Sequence, residues 1–136
     1  GLVGLGRRVN TPEPWNWQFP QGGVDRGEDL HEAGLRELDE ETGVTSVTLL
    51  DRTGDWVVYD FPPEVLARGG RWKGQKQVWF AFRFDGEESE IRLDAHHQVE
   101  FDAWRWARLD ETPGLIIPFK RSTYEVVAAA FERFAG

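Results

Sequence analysis

The stretch from Gly22 to Val44, GGVDRGEDLHEAGLRELDEETGV, limits what this chain can fold into more than any other part of it. Asp25, Glu28, Asp29, Glu32, Glu37, Asp39, Glu40 and Glu41 stand against only Arg26 and Arg36, and so supply most of the net charge of −8. The spacing predicts a helix. Asp29 is placed to cap it, with Glu32 at the third helical position as in a capping box. Leu30, Ala33, Leu35 and Leu38 supply the inward side, and Gly43 suits the left-handed residue that ends a helix. On that helix Glu37, Glu40 and Glu41 stand at i, i+3 and i+4, so three carboxylates stack on one face. Such pairs repel by roughly 0.2–0.5 kcal/mol each on an exposed helix. A divalent cation would offset the repulsion; hard cations such as Mg²⁺ take oxygen ligands and often keep waters and substrate phosphates in their shell. Gly34 costs about 1 kcal/mol relative to Ala, which close packing against a neighbour would explain.

The length of 136 residues suits one domain spanning 1–136, and seven Trp with nine Phe supply enough to bury. The absence of cysteine excludes a disulfide scaffold, a thiolate metal site and a Cys nucleophile. It is compatible with the expected cytoplasmic location. No apolar run approaches the ~20 residues of a membrane span, so no membrane association is expected. The acidic balance argues against bulk electrostatic binding to nucleic acid. A local basic patch could still hold a polyanion.

Leu2 to Val9 predicts a strand that ends in two arginines, and Asn10 to Asn16 a Pro-containing loop. Few folds open so abruptly on a strand, so a first strand is expected to be missing. Trp17 to Phe19 is extended. Ser46–Arg52 and Trp56–Phe61 read as strands, Pro62-Pro63 as the start of a short helix through Leu66 ended by Gly69-Gly70, and Arg68–Lys76 as a basic, Gly-rich loop. Gln77–Phe84 alternates over apolar faces and predicts one central strand; Ile91–Leu93 predicts an edge strand and Trp104–Arg108 another strand. Ser122 and Glu125 read as a capping box opening a last helix, with Tyr124, Val127, Ala128 and Phe131 as its core stripe. The class is therefore α+β, with helices packed on a mixed sheet. Trp104 and Trp106 read as core, His96 and His97 as surface residues, and His31 as lying on the exposed side of its helix.

The opening stretch resembles the signature of Nudix hydrolases, G-x5-E-x7-R-E-U-x-E-E-x-G-U with U a bulky aliphatic. Gly22, Glu28, Arg36, Glu37, Leu38, Glu40, Glu41, Gly43 and Val44 fill its fixed positions. The resemblance implies an α/β/α sandwich around a mixed sheet and hydrolysis of nucleoside diphosphate linkages with Mg²⁺ or Mn²⁺. A narrower likeness rests on WQFPQGGV (17–24), GQKQVWF (74–80), EFDAWRW (100–106) and FKR (119–121). These resemble bacterial RNA 5′-pyrophosphohydrolases and, equally, the related dinucleoside polyphosphate hydrolases. Members usually begin with a further strand carrying a motif like Y-R-x-x-V-G, which does not occur here. The Pro-containing loop is nearer to that of the dinucleotide enzymes.

The resemblance implies Glu37, Glu40, Glu41 and Glu100 as metal ligands, with Glu40, Glu41 or Glu100 as general base. It gives Glu28 and Arg36 a bracing role. Gly22 and Gly23 let the backbone turn and approach phosphate. Arg8, Gln75, Gln77, Phe119 and Lys120 are the substrate candidates: Arg and Lys for phosphate, Phe119 as a stacking face. The implied substrate is an RNA 5′ triphosphate, trimmed to a monophosphate, or else a dinucleoside polyphosphate. A binding module of the same fold that recognises nucleotide ends without cleaving is the reading of another class. No obligatory protein partner is implied.

Overall fold

The computed structural model describes residues 1–11, 14–54, 57–60, 62–66, 74–96 and 98–135, with the backbone alone for 59, 60, 65, 66 and 74–76. Its elements are β1 (Leu2–Arg8), β2 (Trp17–Gln18), α1 (Leu30–Thr42), β3 (Val47–Arg52), β4 (Val57–Asp60), α2 (Pro63–Leu66), β5 (Gly74–Gln77), β6 (Phe80–Phe84), β7 (Phe101–Arg108) and α3 (Arg121–Phe131). β1 lies between β2 and β7, β3 pairs with β6, and β4 pairs with β5. All of these pairings are antiparallel.

β1 alternates glycine with larger residues for a reason on the neighbouring strand. A Cβ on Gly6 would fall 2.3 Å from the Phe101 ring, and that ring is fully buried. The ring of β7 thus fills the space that a β1 side chain would occupy, the arrangement known from aromatic rescue of strand glycines. At Gly4 a Cβ would meet the Trp106 ring at 3.5 Å, an ordinary contact, so only Gly6 is required by its neighbour. The register runs from Leu2↔Arg108 to Arg7↔Ala103 and slips at Arg8, which faces Phe101.

A second cluster joins Val57, Trp79, Leu109, Ile116, Tyr124, Val127 and Phe131. Phe19 enters it edge-on to Trp79, with ring centroids 5.6 Å apart, and its amide donates to the Tyr124 hydroxyl at 3.0 Å. This bond ties α3 to the segment that leads into Gly22. Trp104 and Trp106, expected in the core, are only half-buried; they pack against each other, and the Trp106 indole donates to Glu88 at 2.7 Å. An apolar cavity of about 1120 Å³ lies between β1, β6 and the inward side of α1.

α1 starts and ends as its sequence predicts. The Asp29 carboxylate accepts from the His31 and Glu32 amides at 3.1 and 3.2 Å. Gly43 has φ 74° and donates to the Asp39 carbonyl at 2.8 Å. A Cβ on Gly34 would meet Phe80 at 3.5 Å, an ordinary contact, so close packing is not what requires glycine there. His31 is half-buried and stacks at 5.8 Å on Phe82. It is not on an exposed face.

Three other expectations change. Gln77–Phe84 is not one strand: Gln77 ends β5, opposite Val57, whereas Phe80 begins β6, opposite Arg52. Between them Trp79 bonds to Thr53 instead, through Trp79 N to Thr53 Oγ1 at 3.1 Å and Thr53 N to Trp79 O at 2.8 Å. A side-chain hydroxyl thus substitutes for a ladder group and breaks the strand. Ile91–Leu93 forms no strand; it follows a 3₁₀ turn at Glu88–Glu90. Ser122 does not cap α3, because a 3₁₀ turn at Pro118–Lys120 runs straight into the helix and puts Ser122 inside it. Arg68–Lys76 falls mostly outside the described residues; its end, Gly74–Lys76, lies in β5.

Candidate active site

The helix face that should be torn by like charge is held by Arg36. Its guanidinium donates to both Glu28 oxygens at 2.8 and 2.9 Å, to Glu37 at 2.8 Å, to Glu40 at 3.2 and 3.3 Å, and to the Gly23 carbonyl at 2.8 Å. A forked, planar donor set is what allows one side chain to serve so many acceptors. Glu28 also accepts from the Asp25 amide at 3.0 Å. The bond from Arg36 holds its carboxyl down to about 2. Glu28 and Arg36 are thus bonded to each other, and Arg36 also to the Gly23 carbonyl.

Glu41 has no such counter-charge. It is 6% exposed, and its Oε2 is buried without a hydrogen-bond partner. Burial first, then the charge of Glu37, and further down Glu100 and Glu40, push its carboxyl up to about 8; a hydrogen bond from the Gln21 backbone opposes the rise. Glu37 is also raised, chiefly by burial. The four carboxylates thus share one electrostatic neighbourhood. Glu100 arrives there as the residue just before β7, its carbonyl accepting from Val9 N at 3.0 Å.

A cation cluster stands at the same end of β1. Arg8, whose amide donates to Asn16 O at 2.8 Å, directly precedes Val9. Lys120 is 7% exposed rather than a solvated surface charge. Burial, then the positive charge of Arg8, push its ammonium down to about 8. The Lys120 Nζ lies 5.9 Å from the centre of the half-buried Phe119 ring. Arg8, Phe119 and Lys120 are therefore brought together. Gln77 is engaged otherwise: its Oε1 accepts from the Trp79 indole at 3.1 Å. Gln75 lies opposite Tyr59 in β5, and its side chain is outside the described atoms.

A family model described as the NUDIX domain matches residues 2–129. The chain belongs to the Nudix family. An RNA pyrophosphohydrolase of Caulobacter vibrioides is 67% identical over 99% of this chain and 80% of its own length. One of Brucella ovis is 49% identical over 99% of this chain and 82% of its own. Among solved structures, a C. elegans Ap4A hydrolase superposes with a TM-score of 0.65 at 19% identity, covering 96% of this chain and 86% of that one. The E. coli dihydroneopterin triphosphate pyrophosphohydrolase gives 0.64 at 21%, covering 95% and 86%. These two likenesses speak to the Nudix fold alone.

The Nudix carboxylates fit a hard divalent cation by donor chemistry. All four are oxygen donors, and the buried, unpartnered Oε2 of Glu41 is a group that costs free energy unless something binds it. As the side chains stand, no three acidic or histidine groups among the described residues enclose an ion, since Arg36 holds Glu37 and Glu40.

The paired glycines Gly22 and Gly23 that open the Nudix stretch differ. A Cβ on Gly22 would lie 1.9 Å from the Glu37 carboxyl carbon, whereas one on Gly23 meets nothing within 4 Å. The close approach at Gly22 is thus made by Glu37, and Gly23 contributes its carbonyl to Arg36. Gly22→Ala is expected to displace Glu37 and lower kcat by about 10–100-fold, the usual cost of disturbing groups that orient a metal site. Gly23→Ala should stay within about threefold of wild type, as expected where an added methyl meets open space. Steady-state kinetics of the two variants side by side checks this.

Proposed function

We propose that this Nudix protein is a pyrophosphohydrolase of RNA 5′ ends. Water adds to a phosphorus of the 5′ triphosphate, the phosphoanhydride bond breaks, and pyrophosphate leaves behind a 5′ monophosphate. The observation that carries the reading is the link between two groups through the end of β1: Glu100, whose charge acts on the buried Glu41, bonds through its carbonyl to Val9, the residue after Arg8, and Arg8 acts on the buried Lys120. A phosphorylated substrate bound through a divalent cation is complementary to both. The identity to relatives named RNA pyrophosphohydrolase supports the same substrate class.

In this reading Glu37, Glu40, Glu41 and Glu100 hold Mg²⁺ or Mn²⁺. When bound, the cation would clamp the phosphates and make water more acidic. The chain's own residues do the rest. Arg8 and Lys120 donate to phosphoryl oxygens, where charge accumulates during transfer. Phe119 offers its ring to a base. Glu40, Glu41 or Glu100 takes the proton of the attacking water. Arg36 keeps Glu37 and Glu40 apart from one another's repulsion without neutralising Glu41. Gln75 and Gln77 contact the first nucleotides in this reading, although Gln77 would have to share its carbonyl with Trp79. The protein meets its RNA in the cytoplasm; no helix among the described residues is long and apolar enough to cross a membrane.

The Pro-containing loop before Trp17, similar to that of the dinucleotide enzymes, favours diadenosine tetraphosphate as the competing substrate. Relative kcat/KM decides between them. The RNA reading expects 5′-triphosphate RNA to be preferred with Mg²⁺. A preference of about a hundredfold for the dinucleotide, or ~2.7 kcal/mol in transition-state binding, would overturn it. Tight binding of RNA ends without turnover would favour the non-catalytic module.

A further inference from the structure

Past the 3₁₀ turn at Glu88–Glu90, the described residues up to Glu100 carry no helix or strand, yet they end on one of the four carboxylates. What fixes it is a row of contacts to the far end of α1 and the turn that follows. Glu90 comes first: its carboxylate accepts from the Thr45 and Ser46 amides at 2.8 and 2.9 Å. Arg92 follows, with its amide on the Thr42 carbonyl at 2.7 Å and its backbone closing on Gly43, where an added Cβ would come within 3.1 Å. His96 is the last. Its Nε2 stands 3.3 Å from the Asp39 carboxylate, and both side chains are two-fifths exposed.

We infer that the His96–Asp39 contact positions Glu100 against Glu41. Asp39 lies on α1 in the stretch that carries Glu37, Glu40 and Glu41, and His96, which meets it, stands four positions before Glu100. The contact therefore sets the distance between the helix-borne carboxylates and the loop-borne one. It is a positioning pair: neither residue touches substrate. The contact is long and exposed, so its net worth for global stability is small. Its effect falls on where a short tether places one carboxylate, and small displacements at a reacting centre are costly. This inference rests on the pyrophosphohydrolase reading of the same site.

The pair suits a double-mutant cycle on the intact protein. Asp39→Ala keeps the helix, since Ala is the better helix former and the Gly43 cap uses the Asp39 backbone carbonyl. His96→Ala removes an exposed side chain from a turn. Each is expected to lower kcat on 5′-triphosphate RNA by about fivefold, the equivalent of ~1 kcal/mol, with KM for RNA within about twofold. Mn²⁺ affinity, measured by calorimetry without RNA, should weaken by a similar factor in each variant. The double variant should be no worse than either single one, and His96→Gln, which can still donate to Asp39, should recover most of the loss. Amide exchange over 92–100 should quicken in both single variants. Wild-type kinetics and Mn²⁺ affinity in both, or losses that simply multiply in the double variant, would overturn the inference. If the wild-type protein does not act on RNA ends at all, the functional reading fails, while Mn²⁺ affinity and amide exchange still decide whether the pair positions Glu100.

Discussion

Glu41→Gln should lower kcat by about 10²–10⁴-fold, the range for losing a general base, and at the same time stabilise the metal-free protein at alkaline pH. The two effects share one cause. Glu41 is buried beside other carboxylates with no cation of its own. Its ordinary value of 4.5 rises to about 8 in the fold. Below the unfolded value both states hold the proton, and burial costs little. As pH rises from there to about 8, the unfolded chain releases a proton that the folded chain keeps, so stability falls. Above about 8 the full cost is present. A tenfold change in acidity is worth about 1.4 kcal/mol, so the cost is on the order of 3–5 kcal/mol. Glutamine keeps the acceptor for the Gln21 amide and removes the charge. Melting curves in a chelator should therefore show wild type losing stability between about pH 5 and pH 9, and Glu41→Gln losing much less. Equal slopes for the two proteins would show that Glu41 is not the group responsible.

Lys120→Met carries the second large effect, with the opposite dependence on pH. Lys120 is a buried ammonium beside a guanidinium, and its value falls from 10.5 to about 8. Below about 8 the folded protein carries the buried charge at full cost. Between about 8 and 10.5 the unfolded state binds the proton and the folded state does not, so stability rises with pH through that window. Methionine is close in shape and uncharged, and it should raise the melting temperature at neutral pH. The same change removes a donor to phosphate. Loss of a hydrogen bond to a charged group costs about 1.5–3 kcal/mol, so kcat/KM on 5′-triphosphate RNA should fall by roughly 10–100-fold. A variant that melts higher and works worse would mark Lys120 as functional. One that melts lower with unchanged kcat/KM would mark it as ordinary core.

Both predictions concern buried charge, negative among the carboxylates at Glu41 and positive beside Arg8 at Lys120. Stability is given up where function needs unpaired groups. The arrangement also shows where the sequence was readable. Helical spacing is a property of the chain alone, so the carboxylate face of α1, its Asp29 cap and its Gly43 terminus follow directly from it. The bracing pair Glu28–Arg36 followed from the Nudix resemblance, and the fold confirms the contact. The role of Arg36 as principal counter-charge to Glu37 and Glu40 was not legible, because spacing shows repulsion and does not show which neighbour relieves it.

Other features depended on contacts far apart in sequence. Lys120 reads as a cation for phosphate, but nothing in its spacing shows that the 3₁₀ turn it ends leaves it buried. Gly22 reads as a phosphate-approaching turn until Glu37 folds against it. The break between β5 and β6 came from Thr53, a residue in another strand connection. His96 had no spacing to mark it, and only its meeting with Asp39, 57 positions away, gives it a role.

One measurement bears most directly on the central claim. The protein is incubated with an RNA whose 5′ triphosphate is labelled in its terminal phosphates, with Mg²⁺ and with chelator, alongside Glu41→Gln. The account predicts labelled pyrophosphate and a 5′-monophosphate RNA from wild type with Mg²⁺, and intact ends in the other two reactions. Intact 5′ ends with wild type and Mg²⁺, or equal release by Glu41→Gln, would contradict it.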